Sequence, residues 1–364
     1  MSLAAGCYSV TLPRVKRVRV GFDATPLARP FPRGIVRAAG GQLAALERRG
    51  RIEVVRLAPP PDASLRRWRQ RDLPRLAREL ALDGVHSYLS AFPLRAGPRR
   101  VQTVHELPWR AGVTENAGLS HRLWARFGPA LAHAVVCGTE HAARALRAYA
   151  IGGARRVRVI PWGVGPEFAP EPPPGAVDEV LLDRYRLGEV PFALCLDAVR
   201  PKKNLAAVLR GLAELRRRGG PELRAVVTGE DTQQLRRDLG LASRLGLAGA
   251  VQTVGVVGED DLPGLLRLAS VVPVLSRSEG FGFPVLEALA CGTPALVPLA
   301  SAQAEVAGVH GIAVDAGSDA EVARGLADAL ERREELRFVV PERAAELTWD
   351  ASAAKVEALW EELA

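Results

Sequence analysis

Short runs of Val, Ile and Leu, too brief for a helix and without polar alternation, recur along this 364-residue chain with helical stretches between them. The first six are "VRVGFDA" (18–24), "EVVRLAP" (53–59), "GVHSYLSAF" (84–92), "VQTVHE" (101–106), "HAVVCGT" (133–139) and "VRVIPWG" (157–163). A proline-dense stretch, "PWGVGPEFAPEPPPGAVDEV" (161–180), reads as a linker. The rhythm then restarts with "FALCLDAV" (192–199), "LRAVVTGE" (223–230), "VQTVGVV" (251–257), "VVPVLS" (271–276), "PALVPL" (294–299) and "GIAVDA" (311–316). Apolar strands spaced by helices demand parallel sheets covered on both faces. The expectation is an α/β chain of two doubly wound, Rossmann-like domains, 1–170 and 171–346. A closing amphipathic helix over 347–364 packs back toward the first domain, with Asp350 or Ser352 near its start. Ligands of such folds sit at the carboxyl ends of the strands, here in the cleft between domains.

The formal charge of +8 favours acidic partners: nucleotide sugars, phosphorylated glycans, lipid headgroups or nucleic acid. Nearly all of the excess is arginine. The only lysines are Lys16, Lys202, Lys203 and Lys355, so the adjacent pair stands out. Cys7, Cys137, Cys195 and Cys291 are too far apart for a disulfide framework or zinc site, which fits a reducing cytoplasm. "LAAGC" (3–7) looks like a lipoprotein cleavage site, but the two residues before it leave no room for a leader. No apolar run is long enough to span a membrane, so the expected location is cytoplasmic, at most peripheral on the inner face of the cell membrane.

Chemistry concentrates in "SRSEGFGFPVLEALACGTPALV" (276–297). A buried strand ends before it, Pro284 suits the first turn of a helix, and Gly292 with Pro294 stops that helix. Glu279 then falls on the loop and Glu287 in the first helical turn. Gly280 and Gly282 can expose backbone N–H groups to a ligand, and a helix N-terminus favours negative charge. Carboxylates accept hydrogen bonds from vicinal hydroxyls, so the arrangement suits a ligand both anionic and hydroxyl-rich. Taken singly, Glu287 reads as a complement to the helix dipole and Glu279 as a solvated loop residue; the string as a whole points to the ligand. A second site lies in "DAVRPKKNLAAVLRGLAELRRRGG" (197–220), where Asn204 is a good N-cap and Lys202 and Lys203 precede the helix. Cations there oppose the helix dipole unless an anion is shared between them, which points to a phosphate site.

The string "EGFGFPVLEALACGTPALV" resembles the signature of retaining glycosyltransferases of family 4, which have the GT-B fold and use nucleotide-sugar donors. The resemblance implies a cleft between an acceptor-binding first domain and a donor-binding second domain. It places Glu279 by the transferred sugar and Glu287 on the nucleotide ribose, with Gly280, Phe281 and Gly282 around the donor sugar. Lys203, helped by Arg200 and Lys202, would hold the diphosphate. The family's loop usually starts with glycine where Asp197 stands. "VRVGFDATPLARPFPRGIVRAAGG" (18–41) is similar to the family's glycine-bearing loop, giving Gly34 a place near the donor phosphates; a plain strand–helix connection reads nearly as well. "VQTVHELPWR" (101–110) puts His105 near the donor sugar as a catalytic candidate, with Glu106 where the family commonly has aspartate. Gly165 also stands where aspartate is common. "VQTVGVVGEDDLPGLL" (251–266) fits the segment that packs on the base, through Gly255 and Val256, or is an ordinary strand and loop.

The implied activity is metal-independent, retaining transfer of a sugar to a glycan, lipid or small-molecule hydroxyl, in cell-surface polysaccharide or glycoconjugate synthesis. No cofactor beyond the donor substrate is expected, and no metal. No second carboxylate suited to act as a nucleophile is visible, which favours front-face displacement over a two-carboxylate scheme. A non-catalytic nucleotide-sugar-binding relative and a sugar-nucleotide epimerase of the same fold are the rival readings. The chain has no G-x-G-x-x-G between strand and helix and no P-loop lysine, so dehydrogenase and NTPase readings have no anchor. "LRRWRQRDLPRLAREL" (65–80) could rest on an anionic membrane or be an arginine-rich surface interrupted at Pro74. With aromatics at 5%, none interleaved through a basic sheet face, nucleic acid is not an expected partner.

Overall fold

The computed structural model of the chain describes residues 17–95 and 99–364. The "LAAGC" motif, Cys7 and Lys16 lie outside them. Strands β1 (Arg19–Asp23), β2 (Glu53–Leu57), β3 (Gly84–Ser87), β4 (Arg99–Thr103), β5 (Ala134–Cys137) and β6 (Val157–Val159) form one parallel sheet, ordered β2-β1-β3-β4-β5-β6. The second sheet holds β7 (Phe192–Cys195), β8 (Arg224–Thr228), β9 (Val251–Gly255), β10 (Val272–Pro273), β11 (Ala295–Pro298) and β12 (Ile312–Val314). Its ladders β7-β8-β9 and β10-β11-β12 join where Leu194 N–H donates to Val271 O at 3.0 Å and Ser270 N–H to Phe192 O at 2.9 Å. The combined order, β9-β8-β7-β10-β11-β12, is that of doubly wound nucleotide-binding sheets, with its crevice between β7 and β10. Both sheets are parallel, as the apolar runs require: β3, β5 and β7 are buried along their whole length.

Local chemistry sets the helix ends near that crevice. The helix Leu205–Arg217 buries Leu205, Val208, Leu209, Leu212 and Leu215. Asn204 occupies its N-cap position but does not cap it with its side chain. Its backbone is left-handed (φ +58°), which asparagine tolerates, and its amide instead donates to Leu275 O at 3.2 Å. It thereby ties the loop after β7 to the strand end at β10. The helix after β10 runs Phe283–Ala290, so Glu287 sits in its second turn rather than the first.

The chain crosses to the second sheet after β6 and returns at its end. The last helix, Trp349–Leu363, is capped by Thr348, whose hydroxyl accepts from Ala351 N–H at 3.1 Å, and not by Asp350 or Ser352. It packs against the first-domain helix Arg33–Arg49. Gln42 Nε2 donates to Ser352 Oγ at 2.9 Å, and Arg49 meets the buried Glu357 at 2.9 Å. Glycines make room for its tryptophans. A Cβ on Gly41 would lie 2.2 Å from the Trp349 ring, and one on Gly84 would lie 2.6 Å from Trp360.

The arginine-rich segment 65–79 is helical almost throughout. A π-turn, Trp68–Asp72, precedes the helix Leu73–Glu79, in which Pro74 takes an early position that needs no N–H donor. Trp68 is 2% exposed and donates through Nε1 to Asp23 Oδ1 at 3.1 Å; Leu73, Pro74 and Ala77 are also buried. The apolar side of this segment is spent on the first domain's core, so it has none left to offer a bilayer.

Trp360 fills the space between the last helix and the first sheet. Trp360→Ala is expected to cost about 3–5 kcal/mol, the usual range for emptying a large aromatic site, read as a lower denaturation midpoint in guanidinium.

Candidate functional site

The crevice between β7 and β10 assembles the lysine pair and Glu279 from two separate loops. Lys203 Nζ lies 2.8 Å from Glu279 Oε1, and Lys202 Nζ lies 3.6 Å from Glu279 Oε2. All three side chains are largely buried. Burial would raise the Glu279 carboxyl, but the ammonium groups of Lys203 and then Lys202 outweigh it and hold the group down at about 2. Burial likewise disfavours the Lys202 ammonium, and Glu279 with Glu106 reverses the effect, so its pKa rises.

The opposite wall comes from the first sheet. Glu106, after β4, sets Oε1 and Oε2 at 3.4 and 3.5 Å from Lys202 Nζ, and Glu115 accepts from Lys202 N–H at 3.0 Å. A second carboxylate, Glu106, therefore reaches this site, held against Lys202. Both its oxygens face Lys202, and burial pushes its pKa up against that ammonium's pull. His105 contributes its main chain as well as its ring. A Cβ on Gly280 would stand 1.6 Å from His105 O, so only glycine lets the two loops meet. Thr139 Oγ1, after β5, donates to Gly280 O at 2.9 Å. The His105 ring, near Trp162, has Nε2 2.8 Å from Tyr88 O, and burial lowers its pKa to about 4. It is neutral at pH 7.

Glu287 belongs to a neighbouring cluster. Its carboxylate is 2% exposed and paired with Arg37, from the first-domain helix Arg33–Arg49. Arg37 also pairs with Glu259, lies over the Phe168 ring at 5.6 Å, and is joined there by Arg33, 3.4 Å from Glu259. Burial raises the pKa of Glu287, partly offset by Arg37. A recess of about 400 Å³, open to solvent, runs alongside, lined by Arg37, Glu167, Phe168, Phe283, Glu287 and Trp349 among others. Gly34 sits one turn before Arg37 and faces Phe283, which a Cβ would touch at 3.5 Å.

The remaining sequence candidates are placed less directly. Arg200 is paired with Asp197 rather than aimed at the lysines. Asp197 itself has φ +47°, the left-handed backbone that explains why glycine is usual at this position. The Phe281 side chain is 4% exposed and packs on Phe283 and beside Gly138, so only its backbone is available near the glycines. Gly282 has φ +102°. Gly255 accepts through its carbonyl from Gly229 N–H at 2.7 Å, and Val256 beside it is 56% exposed.

Comparisons with known proteins give the family and the fold. Residues 184–346 match the model for glycosyl transferases group 1, and residues 25–168 match that for glycosyltransferase family 4. The chain belongs to this glycosyltransferase family. A GDP-mannose-dependent alpha-(1-6)-phosphatidylinositol monomannoside mannosyltransferase of Mycobacterium tuberculosis is 33% identical over 226 residues, 57% of each chain. A D-inositol 3-phosphate glycosyltransferase of Corynebacterium jeikeium is 32% identical over 229 residues, 57% of this chain and 52% of that one. The matched region thus spans just over half the length of these curated relatives. Among solved structures, HepE of Anabaena in complex with UDP and glucose superposes with a TM-score of 0.70 at 16% identity, covering 95% of this chain and 99% of that one. Sucrose-phosphate synthase from Thermosynechococcus elongatus gives 0.71 at 18% identity, covering 95% and 99%. The fold is GT-B.

Sequence reasoning did not find Arg37, Glu259, Glu115 or Thr139. Each acts across the cleft, and nothing in its local sequence marks it. Glu106 was visible only as a substitute for aspartate.

Lys203→Met removes the nearest counter-charge of a buried carboxylate and is expected to cost roughly 3–5 kcal/mol at neutral pH. Glu279 has a folded pKa depressed from 4.5 to about 2. The wild-type advantage should therefore be full above pH 4.5 and shrink as pH falls toward 2. Urea unfolding of both proteins across that range measures it.

Proposed function

We propose that the chain is a retaining, metal-independent glycosyltransferase that moves a hexosyl group from a nucleotide-diphosphate sugar to a hydroxyl acceptor. The observation that carries this reading is the buried meeting of Lys203 and Glu279 at the β7–β10 crevice, under His105 and Glu106 of the other sheet. In this reading residues 1–170 bind the acceptor, 171–346 bind the donor, and 347–364 brace the first domain.

The donor diphosphate enters beside Lys203, whose ammonium shifts from Glu279 toward phosphate oxygen. Lys202 stays held between Glu106 and Glu279 and supplies field rather than a direct contact. These cations offset the charge that develops on the leaving diphosphate, work that a metal ion does in other transferases. Glu279, ionised at any neutral pH, faces the sugar and stabilises positive charge at its ring. His105 is neutral and offers a hydrogen-bonding ring rather than a charge. The ribose hydroxyls take the place of Arg37 at Glu287, and the backbone at Gly280 and Gly282 lines the sugar. Gly34 admits the phosphates at the helix start, and the base lies along Gly255 and Val256.

Because Lys202 engages both oxygens of Glu106, that carboxylate is a poor nucleophile, and front-face attack by the acceptor hydroxyl remains the preferred route to retention. The mannose donor named for the mycobacterial relative makes GDP-mannose the first donor to try. Acceptors follow the same relatives: a lipid-linked glycan or a phosphorylated cyclitol, in glycoconjugate or surface polysaccharide synthesis.

A thermal-shift screen of GDP-, UDP-, ADP- and TDP-sugars should single out one base, since a ligand at 100 times its Kd stabilises by about 2.7 kcal/mol. With that donor, Glu279→Gln is expected to lower kcat by roughly 100-fold or more. A chelator should leave the rate unchanged, and NMR of the product should show the donor's anomeric configuration. Loss of activity restored only by a divalent cation, or an inverted product, would refute the mechanism. Glu106→Gln retaining measurable transfer separates front-face attack from a covalent intermediate on that residue.

A further inference from the structure

The helix Leu119–Leu131 carries an apolar ridge that the fold leaves uncovered. Leu119 is 72% exposed, Leu123 48%, Phe127 45% and Leu131 47%, at four-residue spacing. Ile151, 49% exposed, lies beside them, its N–H bonded to Arg126 O at 2.7 Å. The ridge runs about 18 Å along the helix. Single exposed leucines are ordinary, but a continuous row of large apolar side chains marks an interaction surface.

Its surroundings indicate what covers it. Between Ala117 and Pro166 the chain has seven arginines and one acid, Glu140. Glu140 is taken by Arg147. Arg122 and Arg126 flank the ridge, their Cζ atoms over the rings of Trp109 and Tyr149 at 5.5 and 5.4 Å from the centroids. Arg156 bonds Ala130 O at 2.9 Å and Ala132 O at 2.6 Å at the helix end, next to the exposed Arg155. Among the described residues, none of these four arginines pairs with a carboxylate. An apolar ridge rimmed by unpaired guanidinium groups matches the chemistry of an anionic bilayer surface, with acyl chains beneath and phosphates above. A protein partner for such a face would need matching acids, and the chain's own charge of +8 disfavours a second copy.

We infer that this helix docks the protein peripherally on anionic phospholipid, through Leu119, Leu123, Phe127 and Leu131 with Arg122 and Arg126 at the rim. The surface adjoins the cleft: Leu119 follows Glu115, which holds the backbone of Lys202, by four residues. Docking would set the cleft's edge beside the membrane. The segment 65–79 has no comparable face, because Trp68 and Leu73 are buried and Leu76 packs, partly buried, against the same core.

The test is flotation of the full chain with vesicles of phosphatidylcholine, alone or mixed with phosphatidylglycerol. It needs no enzymatic activity, so it stands apart from the glycosyltransferase reading. Wild type should float with the mixed vesicles, and the binding should weaken with added salt. Leu123→Asp with Phe127→Asp should lower partitioning by about tenfold or more. Arg122→Gln with Arg126→Gln should remove the preference for phosphatidylglycerol, at about fivefold per arginine. Unchanged thermal unfolding of each variant shows that the fold is intact; Arg66→Gln serves as the control that leaves flotation unaltered. Wild type that stays unbound by mixed vesicles overturns the inference, as does equal flotation of the folded aspartate variant. A dimer by light scattering that the aspartate substitutions dissolve, without flotation, would reassign the ridge to contact between copies.

Discussion

Everything at the cleft depends on two parallel sheets meeting edge to edge at the carboxyl ends of their strands. That meeting is possible only because Gly280 has no side chain where the carbonyl of His105 lies. The contact is then locked by charge. Lys202 stands between Glu106 of one sheet and Glu279 of the other, with its backbone N–H on Glu115. Arg37 similarly reaches from the first domain onto Glu287 and Glu259. Glu305 completes the seam from the second domain, accepting from Glu140 N–H and His141 N–H at 2.6 and 2.7 Å, at the start of a first-domain helix.

Buried ions of this kind are costly unless each is answered. The cluster meets that condition by alternating sign: Glu106, Lys202, Glu279, Lys203. The consequence is chemical as well as structural. A carboxylate that stays ionised in a site largely closed to water keeps its full charge where screening is weak. On the proposed reading only Lys203 trades its carboxylate for a phosphate oxygen, while Lys202 stays between Glu106 and Glu279. The same alternation holds the two domains together and, on the proposed reading, is what an anionic, hydroxyl-bearing ligand meets.

Much of the architecture was legible in the chain. Among the described residues, eleven of the twelve strands fall within the apolar runs read from sequence, and β4 starts two residues early, at Arg99; strands buried on both faces admit little but apolar residues. The loop and helix carrying Glu279 and Glu287 were placed by Pro284 and Gly292, off by a single turn at Glu287. Asn204 was misjudged because a capping residue type says nothing of its own φ, and here the left-handed backbone turns its side chain away to Leu275. The pairing of Arg200 with Asp197, three residues back, was not foreseen from the sequence. The basic stretch at 65–80 looked exposed for want of any sign that Trp68 would find Asp23.

The sequence alone determined what is local: strand and helix identity from periodicity, turns from proline and glycine, and a glutamate-bearing loop specific enough to mark the family. Tertiary structure decided which charges answer which. Lys203 meets Glu279 across 76 residues of chain, and Arg37 meets Glu287 across 250. Such pairings depend on strand order, which places β7 beside β10, and on how one sheet faces the other. Neither leaves a periodic trace in the sequence, because a side chain's partner is set by where the backbone carries it.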